Sequence, residues 1–169
     1  MALSMYTASI PVFVRGLGVL SALLVKAEEH AEQGGILPEV LLGARLAPDM
    51  LPLTAQVQRA CDTAKLSAER LSGVVAPKFE DGEVSFEQLQ QRIAATLVYL
   101  HSVGAEQMAD SGERAIALDF EAFQPKFTGE AYLLTFALPN FFFHVATAHG
   151  ILRNSEVQVG KLDYLGHYD

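Results

Sequence analysis

A second cysteine is missing from this chain. Cys61 stands alone, so no internal disulfide can form, and a reducing cytosol suits it. Basic residues are also short. The net charge is −8 with no basic patch to offset it, which excludes phosphate-led binding of nucleic acid. The apolar N-terminus lacks the basic n-region of a signal peptide, and Arg15 interrupts it as a span. A cytoplasmic protein without a membrane partner is therefore expected. No G-x-S-x-G, P-loop, Rossmann fingerprint or C-x-x-C occurs, so those enzyme classes lose their usual signals. Repeats and low-complexity linkers are missing too, which leaves one domain over residues 1–169. Nor do His144 and His149 pair at metal-site spacing. Five residues apart, they point about 140° apart around a helix, whereas two ligands on one face need a spacing of three or four.

What is present is helix. Half of the 169 residues are hydrophobic, enough for a sizeable single core. Ile10, Phe13, Leu17, Leu20, Leu24, Ala27 and Ala31 alternate steps of three and four. They predict a first helix from Ser4 or Thr7 to Gln33, stopped by Gly34-Gly35. A second helix is expected to open at Pro48-Asp49 and run to Ser72, with Met50, Leu53, Val57, Ala60, Ala64 and Leu71 as its core face. Asp49, Gln56 and Thr63 follow one margin of that face, and Asp62 and Glu69 fall on the opposite, solvated side. Ser85 to Gln88 reads S-x-x-Q, a capping box. It opens a third helix with Phe86, Leu89, Ile93, Thr96, Leu97, Leu100 and Val103 inside.

The loop before it, Val74 to Val84, can stretch about 36–40 Å, longer than a twenty-residue helix. It can carry the chain along the bundle, so that the third helix starts parallel to the second. A short hairpin is expected from Ala115–Phe120 with Gln124–Phe127, stable only if packed against the bundle. The last helix opens at Thr128 as N-cap. Pro139 lies inside it, donates no bond to the carbonyl of Thr135 and crowds that turn, so a kink or break is expected there. Beyond it, Phe141, Val145, Ala148 and Leu152 form a core stripe with His144 beside it.

These residues carry a resemblance. L-A-P-D-M followed by Q-V-Q-x-A-C-D-x-A-K (Leu46 to Lys65), S-F-x-x-L-Q-x-R-I-A-x-T (Ser85 to Thr96), P-N-F-F-F-H (Pro139 to His144), and I-L-R followed by G-K-x-D-Y-L-G span nearly the whole chain. Together they resemble the bacterial domain-of-unknown-function family numbered nineteen ninety-three, a branch of the DinB/YfiT-like bundles. The resemblance implies an all-α, up-down-down-up four-helix bundle, to which the residues add a small β-hairpin before the last helix. It also implies the superfamily's chemistry: a divalent metal on three histidines, one from the second helix and an H-x-x-x-H pair from the fourth, and in some members thiol transfer. His144 matches the first of that pair, but position 148 is alanine and the second helix has no histidine.

No metal site and no cofactor are therefore expected. The expected pocket lies between helices two and four and takes an unidentified small molecule, with His144, Gln56, Asp49, Phe141, Asn140 and Tyr132 as ligand-binding residues. Gln56 and His144 are expected to share a hydrogen bond, because a buried imidazole needs one donor and one acceptor partner and an amide offers both. Two other readings stand beside this one. The first is a metal-dependent thiol transferase or hydrolase built on His144 with non-histidine ligands. The second is a structural or interaction protein whose apolar first helix and Phe141–Phe143 triplet pair with themselves or with another chain; a homodimer is expected under the pocket reading as well.

Overall fold

The structure, a computed structural model, describes residues 3–120 and 124–167. Helix α1 spans Ile10–Gly34, with Pro11 in its first turn. Every residue of its expected stripe is buried. Gly35 ends it at φ 61°, a left-handed cap that glycine adopts without steric cost. A short α2, Pro38–Leu42, precedes α3.

α3 is Leu53–Ser72 and begins later than expected. A second proline, Pro52, forces the residue before it out of the helical region. Pro48 and Asp49 are left in a turn closed by Met50 N–H to Ala47 O at 3.0 Å. The rest of the predicted face is buried in α3. Residues 74–84 form neither helix nor strand and bend at Asp81, and α4 spans Phe86–His101. Its N-cap is Ser85, whose hydroxyl accepts from Gln88 N at 3.2 Å. The Gln88 side chain accepts from Val84 N rather than from Ser85 N, so the box closes one residue early.

Side-chain bonds fix the directions. Gln58 meets Glu83, Asp62 meets Arg92, and Tyr99 donates to the Val74 carbonyl just past the end of α3. Residue numbers rise together, so α3 and α4 are parallel. Ser9 meets Met108 and Ser21 meets Gln90, so α1 runs against α4. Gln56 meets His144, Thr63 meets Asn140 and Ser67 meets Tyr132, so the last helix runs against α3. The bundle is up-down-down-up, with α1 and α3 each packed on both α4 and the last helix.

Asp62 is partly buried, with its side chain 21% exposed. Parallel α4 covers that flank of α3, and Arg92, with its side chain 2% exposed, bonds Asp62 at 2.9 Å, Asp81 at 3.0 Å and Glu83 at 2.7 Å. Lys65 joins Asp62 at 3.3 Å and the Pro77 carbonyl at 2.9 Å. Phe79 lies against both cations, 4.5 Å from Lys65 Nζ and 5.2 Å from the Arg92 guanidinium. This seam holds the crossover loop in place. Burial by itself favours the protonated Glu83 carboxyl, but bonds from Arg92 and Gln58 outweigh it and hold its pKa below the ordinary value.

The hairpin forms as β1, Ala115–Ala117, and β2, Lys126–Thr128, antiparallel with Ile116 opposite Phe127. Thr128 caps the last helix by accepting from Ala131 N at 3.3 Å. That helix is continuous in three parts: α5 (Gly129–Tyr132), one π turn (Leu133–Ala137) and α6 (Leu138–Asn154). Pro139 does not break it. The wider turn just before the proline accommodates its missing N–H, and the bond from Leu138 N to Leu133 O is of the π type. A Cβ on Gly129 would run into the Ser111 carbonyl, so the helix start and the 111–113 turn approach at a distance that only glycine permits.

The tail docks on α1 through α7, Lys161–Leu165. Lys26 pairs with Asp163 at 2.7 Å, and Arg15 bonds the carbonyls of Leu165 and His167. His149 helps, since its Nε2 donates to Gly160 O at 3.0 Å. Two helices, 10–34 and 129–154, are long and apolar enough to cross a membrane. Both lay their apolar stripes into the bundle core.

Candidate functional site

α3 and the last helix do not close on each other along their whole length. Between them lies a cleft of about 220 Å³. Arg59, Asp62, Thr63, Leu66 and Arg70 line it from α3, and Leu118, Asp119 and Phe120, which follow β1, form its rim. Tyr132, Phe136, Asn140 and His144 line it from the last helix. The spacing on the last helix is 132, 136, 140 and 144. A regular helix would drift slowly off one face over that distance; the π turn lies between the first and third of these residues.

The polar groups are held at fixed positions. Gln56 Nε2 donates to the Leu51 carbonyl at 3.0 Å, which turns its Oε1 toward His144 Nδ1 at 2.8 Å. The Nδ1–H is therefore the donor, and Nε2 carries the lone pair. His144 is 8% exposed. Among the described residues no protein group bonds Nε2. Burial, with a further push from the Arg59 charge, lowers its pKa to about 4, so the imidazole is neutral at physiological pH. Asn140 Nδ2 donates to Thr63 Oγ1 at 2.8 Å, and Thr63 donates to the Arg59 carbonyl. At the other end the Tyr132 hydroxyl lies 2.9 Å from both Ser67 Oγ and Arg70 Nη1. Phe136 stacks on Tyr132 at 5.8 Å and tilts against Phe120 at 6.0 Å.

Of the residues expected to bind a ligand, His144, Asn140 and Tyr132 line the cleft, and Gln56 stands behind His144. The expected Gln56–His144 bond is present. Asp49 does not line the cleft. It is exposed in the turn that the late start of α3 leaves outside the helix. Phe141 is fully buried with its ring edge-on to Phe13 at 5.0 Å, over Gly16 on the α1 side. Tyr99 is a structural residue, its hydroxyl spent on the Val74 carbonyl. Sequence reading missed Arg59, Arg70 and Phe136. Phe136 was legible as one turn before Asn140. The arginines were not, because a helical wheel alone does not separate a cleft edge from solvent.

The metal of the resemblance does not fit these residues. α3 carries no histidine and position 148 is alanine. Among the described residues no three His, Cys, Asp or Glu side chains gather as a metal-binding group. Asp62, the carboxylate nearest the middle of the α3 wall, is already bound to Arg92 and Lys65. Cys61 supplies no reactive thiol, since burial pushes its pKa to about 12.

Four helices in up-down-down-up order, with a histidine on the fourth facing the second, define a DinB-like bundle. A crystal structure of a DinB family member from Shewanella denitrificans superposes with a TM-score of 0.90 and is 40% identical, covering 97% of this chain and 93% of that one. The chain belongs to the family described as a domain of unknown function, DUF1993, whose model matches residues 5–165. No curated protein matches it.

Proposed function

We propose that this protein is a cytosolic binder of a small organic molecule, which it takes up in the α3–α6 cleft without a metal. The neutral His144 imidazole accepts a hydrogen bond from the ligand. The observation that carries this is the unshared Nε2. One ring nitrogen is locked by Gln56, the residue is 8% exposed, and no described residue bonds the other nitrogen. Nε2 is not among the buried unpartnered atoms, so it opens to the cleft, where a ligand donor or a water can reach it. The apolar wall with a few converging polar groups is the composition of a ligand site. At about 220 Å³ it is smaller than the roughly 300–1,000 Å³ of drug-sized pockets, which favours a small metabolite. A fragment library screened by NMR on isotope-labelled protein tests this reading through the His144 imidazole signals. Fragments should shift those signals saturably and lose affinity in His144→Phe. A library in which none does overturns the reading.

A second reading, self-pairing, rests on the outer face of the last helix, where Leu134, Phe142 and Phe143 are exposed. Such a face suits a homodimer. A monomer by light scattering at micromolar concentration removes this reading and leaves the cleft untouched.

A further inference from the structure

The far end of the cleft holds a charge that no carboxylate of the described residues neutralises. Arg70 is half-buried, and its side-chain bond is to a neutral group, the Tyr132 hydroxyl at 2.9 Å. Among the described residues no carboxylate lies within ion-pair distance of it. This chain has 20 acidic residues and a net charge of −8, so a carboxylate partner would be easy to supply. The other charges of the cleft are paired with opposite charges, except Asp119, whose partner is a neutral amide. Arg59 pairs with Asp81 and Asp62, Asp62 also with Arg92 and Lys65, and Asp119 accepts from Gln124 Nε2 at 2.8 Å. A guanidinium presents several N–H donors in a planar fork, and Tyr132 uses one of them. Beside it stand Phe136, Phe120, Leu66 and Leu118, an apolar wall that leads along the last helix to Asn140.

Resting on the cleft reading above, we infer that the ligand is a small monocarboxylate with an apolar body. Its acid group sits on the Arg70 guanidinium beside Tyr132, and its body lies along Phe136 toward Asn140. Charge-assisted bonds from a guanidinium are about twice as strong as neutral ones and can be bidentate, so the acid group sets the orientation. The helix rises about 1.5 Å per residue, which places the Tyr132 and His144 ends roughly 12–18 Å apart. A ligand that also reaches Nε2 is therefore thin and elongated, and a shorter one occupies the Arg70 end alone.

The test uses 4-phenylbutyrate and its uncharged match, 4-phenylbutanamide, as probes. Binding is followed by the Arg70 Nε–H and Asn140 side-chain amide signals of labelled full-length protein. The carboxylate should bind roughly tenfold tighter than the amide. Arg70→Gln should bring that ratio near one while leaving the amide's own affinity in place. Arg70→Lys, which keeps the charge and loses the fork, should fall between. Equal affinities in the unmodified protein, or a ratio unchanged by Arg70→Gln, overturn the carboxylate. If the amide binds as well as the acid, the cleft reading survives and only the carboxylate falls. If neither probe moves these signals while library fragments do move His144, the Arg70 end is not part of the site and the inference falls alone.

Discussion

α3 carries polar side chains on two flanks, and the two are used in opposite ways. Toward α4, Arg92, Lys65 and Arg59 share Asp62, Asp81 and Glu83, so the charges of that seam are matched within it. Toward the last helix, Gln56, Thr63 and Ser67 each make one bond across the gap, and among the described residues an imidazole nitrogen has no partner and the Arg70 guanidinium no carboxylate. The first flank is architecture, because its charges neutralise one another and hold a loop. The second is a site, because its groups satisfy one another only in part, in a cleft open enough for a ligand. Burial does not separate them, since Arg92 and His144 are both buried. What separates them is charge pairing: the ion pairs of α3 all lie on the first flank, even though Arg92 Nε there is buried without a hydrogen-bond partner among the described residues.

The comparison breaks first at Arg92. Arg92→Met should remove the shared partner of Asp62, Asp81 and Glu83 and cost about 3 kcal/mol, the low end for breaking a buried ion pair because the carboxylates keep some solvent. Urea melts at neutral pH measure it. A loss below about 1 kcal/mol would mean that the seam behaves as an ordinary surface cluster.

pH separates the two flanks next. An unfolded histidine titrates near 6.5, and folded His144 near 4. Above pH 6.5 both states are neutral and stability does not depend on this group. Between 6.5 and 4 the unfolded chain takes up a proton that the folded one refuses, so stability falls as pH falls, by about 2–3 kcal/mol in all. Glu83 behaves as a depressed acid. Its contribution is intact above its ordinary value of 4.5 and is lost as pH drops through the lowered folded value. The cleft therefore loses stability at higher pH than the seam. In His144→Phe the loss between pH 6.5 and 4.5 should shrink while the acid limb remains. An unchanged slope would place the proton uptake elsewhere.

Gln56→Leu should cost about 1–2 kcal/mol, because it takes away the acceptor of the imidazole N–H. Gln56→Leu with His144→Phe should recover part of that, since neither polar group is then left alone. Strict additivity across the four denaturant melts would mean that the two side chains do not share the 2.8 Å bond.

Much of the bundle was legible because helix stripes are local. Ile10 through Ala31 announce α1 by spacing alone, and an eleven-residue loop allows a parallel α4. The errors share one cause: a neighbour that spacing cannot see. Asp62 falls opposite the core stripe of its own helix, and only the parallel placement of α4 reveals that Arg92 covers it. The clue was Arg92 itself, three residues after Leu89 and so on the inner margin of α4. α3 starts late because the second proline, Pro52, governs its own predecessor, while Pro48 reads as the better helix opener. The rim of the cleft comes from residues 118–120, which have no periodicity, so Arg59 and Arg70 could not be told from surface arginines.

The smallest expected effect gives the sharpest test of whether the cleft is open. Thr63 accepts from Asn140 at 2.8 Å and donates to the Arg59 carbonyl one turn back. Thr63→Val keeps the shape and removes both bonds. In a sealed interior, the orphaned Asn140 amide would cost roughly 1–3 kcal/mol. In a cleft that water can enter, a water replaces the hydroxyl at little cost, and the loss should stay under about 1 kcal/mol. Arg92→Met, on the α4 flank of the same helix, serves as the internal standard. If Thr63→Val destabilises as much as Arg92→Met, the α3–α6 gap is packed as tightly as the seam and has no room for a ligand. If it costs a fraction of that, the two flanks differ as the bonding pattern says, one with its charges matched within it and one left open for a ligand.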